Sequence, residues 1–303
     1  MSIKETITVW FKAARAPFLV VSIIPALLGG AIAYHYGMFN WLQFVLVTIG
    51  IVSAHSAADF IDDYFDFKNG NLGNKEQQFH DSPLIHGEVT LKQVMAATII
   101  CLAISVGIGI YLLLEVGTPV IYLALAGAFI VFFYTSPPIR LNYRGLGETA
   151  LFFAFGPMIV FGVFFVLTKH FSMEPLLASI PLGIFTMNVG IVSNIFDYED
   201  DVKSGKKCMP VRIGQPNTWK VLMIVSMAGF LVIPLAVILH IMPLWTLIGI
   251  LTIPLGLGVL KSTKNFRDVS FYTGAMSKAI ALSSVTGILL IVAYTISIFS
   301  QVK

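Results

Sequence analysis

Nine apolar segments, each near the ~20 residues that an α-helix needs to cross a bilayer, divide this 303-residue chain from end to end. They cover about residues 18–36, 41–60, 93–114, 120–134, 149–168, 176–196, 218–239, 243–260 and 272–299. Only 12% of the residues are charged, about half the share in an ordinary soluble domain, and 57% are hydrophobic. The chain reads as one all-α, polytopic membrane domain over 1–303. Pro25, Pro157, Pro234 and Pro254 fall inside segments and are expected to kink or interrupt them. The small residues Gly29 with Gly30, and Gly107 with Gly109, are expected to let helices pack closely.

Charge orients the chain. With the N-terminus in the cytoplasm, the segments on that side carry Lys4, Lys12 and Arg15, then Lys68, Lys75 and Lys92, then Arg140 and Arg144. Lys203, Lys206, Lys207 and Arg212 follow, then Lys261, Lys264 and Arg267. The opposite side keeps Lys169 and Lys303, so the positive-inside bias is steep and points to N-in, C-out. The net charge of +3 is thereby accounted for by topology and calls for no nucleic-acid partner. The first apolar run is long enough to span and stay, so no cleavable leader is expected. Cys101 and Cys208 show no metal spacing or disulfide framework.

Two acidic clusters stand out against this background. Asp59, Asp62, Asp63 and Asp66 would fall within an arc of about 100° on a helix. In the second cluster Asn194, Asp197, Asp200 and Asp201 would share a face, with Glu199 turned away. Carboxylates at a membrane helix end repel one another and are costly to keep there. One cluster alone could be a solvated helix end. Two on the same side, each followed by a long polar loop, favour a function in which something cationic neutralises them. Hard carboxylate oxygens suit Mg²⁺, with substrate phosphates completing its coordination. Two facing clusters could hold a diphosphate between bridging metal ions.

Arg140, Arg144, Lys206 and Arg212 lie in the same loops and could meet phosphate oxygens, although such loops carry basic residues for topology as well. His55 sits one turn before Asp59; it and the hydroxyls of Tyr134 and Tyr198 could line the site. A ring of acids could also belong to a cation transporter or channel. The one-sided placement of charge argues against that, because transport needs access to both faces.

These residues carry a resemblance to the UbiA superfamily of intramembrane aromatic prenyltransferases. Asp59-x-x-Asp62-x-x-x-Asp66 stands where that family has its first Asp-rich motif, and Asp197-x-x-x-Asp201 where it has its second. The likeness is to the menaquinone-type, 1,4-dihydroxy-2-naphthoate prenyltransferases and their animal relatives. It is carried by Asp63-Tyr64-Phe65-Asp66 through Gly70, Tyr134-Thr135 through Glu148, and Gly205-Lys206 through Gly214, with Arg15-Ala16-Pro17 and Pro83 through Glu88. Asp59 and Asp62 replace the family's usual asparagines, and Ser193-Asn194-Ile195-Phe196-Asp197 departs from the usual Asn-Asn-x-Arg-Asp.

The resemblance implies nine transmembrane helices around a central cavity, in the cell membrane, with the active site on the cytoplasmic side. It implies Mg²⁺ bound by Asp59, Asp62, Asp66, Asp197 and Asp201, of which the last four would be catalytic. Asn194 would help to bind the diphosphate. A prenyl diphosphate whose tail lies in an apolar channel would react, through an allyl cation, with an aromatic acceptor, 1,4-dihydroxy-2-naphthoate first. 4-Hydroxybenzoate, a glycerol-phosphate ether lipid precursor or a tetrapyrrole would use the same chemistry.

Overall fold

The computed structural model describes residues 2–70, 72 and 82–301, and all regular secondary structure among them is helical. Lys75 and Lys303, used above to orient the chain, lie outside the described residues. The helices are α1 (Ile3–Ala13), α2 (Val20–His35), α3 (Trp41–Lys68), α4 (Leu91–Val116), α5 (Pro119–Phe133), α6 (Gly147–Thr168) and α7 (Met173–Phe196). Two short helices, α8 (Tyr198–Lys203) and α9 (Met209–Ile213), precede α10 (Gln215–Ile238), α11 (Leu244–Thr263) and α12 (Tyr272–Gln301).

Eight of these, α2 being counted with the 3₁₀ turn Ala16–Leu19 before it, are long and apolar enough to cross a membrane. The remaining expected segment, the fourth along the chain at about 120–134, is α5. Its 15 residues reach about 22 Å, short of the ~30 Å of hydrocarbon. Among the described residues eight helices are therefore long and apolar enough to span, and the ninth expected crossing falls on a shorter apolar helix.

Two of the four prolines sit at a break in their helix. Pro157 lies in a π-helical stretch, Ala154–Met158, that interrupts α6. Pro254 lies in the first turn of the α-helical part of α11, just after the 3₁₀ stretch Leu244–Thr252. Pro25 and Pro234 remain inside α2 and α10.

The most enclosed span is α7, which packs against α6, α10 and α12, while α2 packs against α6 and α12. Lipid is as apolar as the side chains at these contacts, so close fit rather than transfer from water holds the helices together. Ile24, Leu28, Val160, Phe164, Leu182 and Leu290 form the centre of this core. Gly29 lets α2 and α6 meet by backbone, since a Cβ there would stand 2.5 Å from the Val160 carbonyl oxygen. Gly107 and Gly109 differ from the expectation. Nothing lies within 4 Å of where their Cβ atoms would be, because α4 packs on α3 with another face; Gly109 instead borders a cavity.

Candidate active site

A cavity of about 760 Å³ opens among α3, α4, α5, α6 and α7. Its far part is apolar, walled by residues such as Ile51, Ile108, Leu123, Met158 and Val189. Its polar end is built from the two acidic clusters, which chain folding brings together from α3 and from the end of α7.

The first cluster is fully helical, because α3 runs on as one helix through Lys68. Asp59, Asp62 and Asp66 face the cavity. Asp63 turns away: it is 2% exposed, accepts a 2.7 Å hydrogen bond from Ser82 Oγ and pairs with Arg15. Arg15 also reaches Asp62 Oδ2 at 3.3 Å, and Thr135 donates to the other Asp62 oxygen. Burial opposes the Arg15 charge, but Asp63, Asp62 and Asp59 outweigh it and raise the guanidinium pKa. Tyr143 donates to Asp66 at 2.8 Å. His55 lies on the wall beneath Asp59, with Nδ1 3.1 Å from Ser22 Oγ, Nε2 3.7 Å from Asp59 Oδ2 and its ring edge-on to Phe155.

The second cluster differs from the single helical face expected of it. Asp197 caps α7, and the chain restarts as α8 at Tyr198, which rotates the later acids out of register. Asn194 and Asp197 face the cavity. Asp201 does not. It is fully buried beneath the rim, where its Oδ2 accepts from Lys206 at 3.2 Å and from the Cys208 thiol at 3.1 Å. Asp200 lies at the surface side, 3.5 Å from Lys203 Nζ.

Lys206 joins the two layers. It lines the cavity, donates to Asn194 Oδ1 at 3.0 Å and pairs with Asp201. Burial disfavours its charge, yet Asp201 and then Cys208, Asp197 and Asp66 hold its pKa well above the usual value. Asn194 is oriented by buried Glu148, which accepts from its amide at 3.0 Å and from the Met209 N–H at 3.2 Å.

The other basic candidates are not brought to the cavity wall. Arg140 donates to Asn69, Arg144 to the Pro138 carbonyl oxygen, and Arg212 to the Arg144 carbonyl oxygen at 3.5 Å. Tyr134 is on the wall, whereas Tyr198 begins α8 and is not. The wall also holds residues the sequence did not single out for the site: Arg15, Asn142, Ser193 and Tyr272. Ser193 Oγ donates to Asp197 at 3.3 Å and lies 3.0 Å from the Tyr272 hydroxyl, while Tyr272 stacks on Phe196. Arg15 had one signal, its place in the Arg15-Ala16-Pro17 likeness. Tyr272 had none.

Four carboxylates and two fixed cations thus face one another across the cavity mouth. The excess is negative and the donors are hard oxygens, which fits Mg²⁺. Asp59 Oδ2 is buried without a hydrogen-bond partner, as a group waiting for a cation would be. Among the described residues no three His, Cys, Asp or Glu side chains stand close enough to enclose a metal ion by themselves.

The model of the UbiA prenyltransferase family matches residues 22–282. The 1,4-dihydroxy-2-naphthoate octaprenyltransferase of Bacillus subtilis is 26% identical over 204 residues, 67% of this chain and 65% of that one. The 2-carboxy-1,4-naphthoquinone phytyltransferase of a Synechocystis species is 26% identical over 259 residues, 86% of this chain and 83% of that one. A solved structure of a UbiA homolog from Archaeoglobus fulgidus, bound to DMAPP and Mg²⁺, shares the fold. Its TM-score is 0.60 at 17% identity, over 93% of this chain and 99% of that one. With the family match running from α2 into α12, the chain belongs to the UbiA prenyltransferase family and is a multi-pass membrane prenyltransferase.

Proposed function

We propose that this protein transfers a prenyl group from an allylic prenyl diphosphate to an aromatic acceptor, in a Mg²⁺-dependent reaction, with 1,4-dihydroxy-2-naphthoate as the acceptor. One observation carries the reading: two acidic clusters from distant parts of the chain meet, with Arg15 and Lys206, at the mouth of a single apolar cavity. The similarity to naphthoate prenyltransferases supports the choice of acceptor.

Asp59, Asp62 and Asp66 on one side, and Asp197 with Asn194 on the other, would hold Mg²⁺ together with the diphosphate oxygens. When bound, the metal would neutralise the charge that builds on the departing diphosphate. Arg15 and Lys206, both held charged by buried carboxylates, face that charge as well. The allylic C–O bond breaks and its electron pair leaves with the diphosphate. The apolar walls below, Phe155 among them, keep water from the cation. An electron-rich ring carbon of the acceptor then forms the new C–C bond and loses the electrofuge it carried, a proton to the released diphosphate or a carboxylate as CO₂, whose bonding pair restores the aromatic ring. Asp201 serves in this reading by holding Lys206 in place rather than by touching metal. The charge pattern of the loops supports a cytoplasmic active site.

The test is an assay of purified protein in lipid with Mg²⁺, geranylgeranyl diphosphate and a panel of acceptors. Prenylated 1,4-dihydroxy-2-naphthoate is expected, abolished by chelation and restored by added Mg²⁺. Asp66→Ala and Asp197→Ala are each expected to cost at least about 10²-fold in rate, the scale for losing one preorganised charge at a reacting centre. Product with a different acceptor keeps the mechanism and changes the substrate. Failure of any acceptor to react, with no binding of the diphosphate, overturns the reading.

A further inference from the structure

Helix α1 precedes the first span and is outside everything argued so far about the cavity. Ten of its eleven residues make up three faces, and Thr6, exposed in the first turn, lies within the arc of the first. At 100° per residue, Val9, Trp10 and Ala13 fall within about 100°, as do Lys4, Glu5, Thr8 and Lys12 on another side. Ile3, Ile7 and Phe11 occupy an arc of about 80° between them.

The first face is the one that touches protein. Ala13, with Val9 and Trp10, packs into a cluster with Phe60, Leu84, Val89 and Val94, and the Trp10 ring meets Phe60 edge-on at 6.1 Å. The second is polar and exposed. The third is apolar and covered by none of the described residues: Ile3, Ile7 and Phe11 are 82%, 64% and 57% exposed. A capping box at Ser2 and Glu5 closes the free end, so the helix is defined up to its first turn.

We infer that α1 is an interfacial helix, lying in the plane of the membrane with Ile3, Ile7 and Phe11 in the boundary between lipid headgroups and acyl chains. Its occupant is the bilayer surface. Two observations select lipid over a protein partner. The helix leads directly into the first span, since α1 ends at Ala13 and the membrane-crossing segment begins at Ala16, so the stripe is tethered at the membrane surface. The polar face borders the stripe, with Lys4 about 20° beyond Phe11 and Lys12 about 100° beyond it, so both ammonium groups can reach water while the stripe meets lipid. The consequence concerns the cavity mouth. Trp10 packs on Phe60, one residue from Asp59, and Arg15 reaches Asp62 and Asp63. The acidic rim therefore sits close to headgroup depth, where a lipid-tailed substrate carries its own charged head.

The experiment uses the full chain in phosphatidylcholine nanodiscs, in a Cys101→Ala background, with single spin labels on Ile7→Cys, Thr8→Cys or Phe11→Cys. Collisional relaxation by oxygen and by a water-soluble nickel chelate reads lipid and water separately. The oxygen-to-nickel ratio is expected to be several-fold higher at positions 7 and 11 than at 8. Equal ratios at all three positions would place the stripe in water and overturn the proposal. Spin–spin broadening between labels at position 11 would show a second copy on the stripe and overturn it too. Neither reading depends on what the cavity binds.

Discussion

Asp63 and Asp201 belong to the two acidic clusters by sequence, and neither faces the cavity. Each is buried against a basic residue that does: Asp63 against Arg15, Asp201 against Lys206. The inner acids fix the cations, and the cations border the site. Lys206→Met would leave Asp201 charged, buried and short of its ion-pair partner. A loss of about 3–5 kcal/mol is expected, read as a fall in thermal unfolding temperature. Asp201→Asn combined with Lys206→Met should recover part of it, since no unpaired charge remains. The same pocket controls Cys208, whose thiol is pushed up to about 12 by burial and by Asp201. A thiol raised this way is neutral below that pH, so only on the order of one part in ten thousand is thiolate at pH 8. Alkylation of Cys208 at pH 8 is expected only once the protein is unfolded, followed by mass spectrometry.

At the scale of elements, the cavity is a gap that α3, α4, α5 and α6 leave and then close. Leu112 of α4, Val120 of α5 and Val166 of α6 form a small buried cluster at its far end, with Val47 of α3 packed beside them. Val47 is twelve residues from Asp59 along α3, about 18 Å of helix. An isoprenoid unit adds four chain bonds where an amino acid adds three, or about 4.5 Å when extended. About four units fit between the acids and this floor. A longer tail has to turn or leave between α4 and α5, where the wall residues Val106, Ile110 and Ile121 are exposed. Val47→Trp is expected to lower kcat/KM severalfold for a twenty-carbon donor and to spare a ten-carbon donor. Equal losses for both donors would mean that the floor does not measure the tail.

For the whole molecule, the arrangement is one-sided. Both acidic clusters, α1 and the loop helices α8 and α9 gather at one end of the bundle, joined by contacts from Arg15, Tyr143 and Lys206. The other end has tight connections such as those after α2 and α4. A membrane-impermeant maleimide is expected to label Lys203→Cys from the cytoplasmic side only, and His170→Cys from the opposite side only. The reverse pattern would invert the orientation and put the active site outside.

Hydropathy and charge are local properties, and they carried the sequence reading far. The spans are legible because about twenty apolar residues in a row have one stable form in lipid, a helix. Both acidic clusters are legible because charge in such a chain is rare and costly. Helical periodicity put Asp59, Asp62, Asp63 and Asp66 on one face. The helix α3 stays regular through them and three of the four face the cavity, while Asp63, at the edge of that arc, meets Arg15 and Ser82 instead. Periodicity misread the second cluster because α7 ends at Asp197, and a break resets the phase of every residue after it. What only the tertiary structure decided is what each acid faces. The partners that turn Asp63 inward, tie Asp62 to Thr135 and Asp66 to Tyr143, and set Ser193 against Tyr272 come from other helices and loops, up to 79 residues away. Periodicity within one helix states which residues share a face. The neighbour that this face meets is chosen by packing between helices, and no local pattern records it.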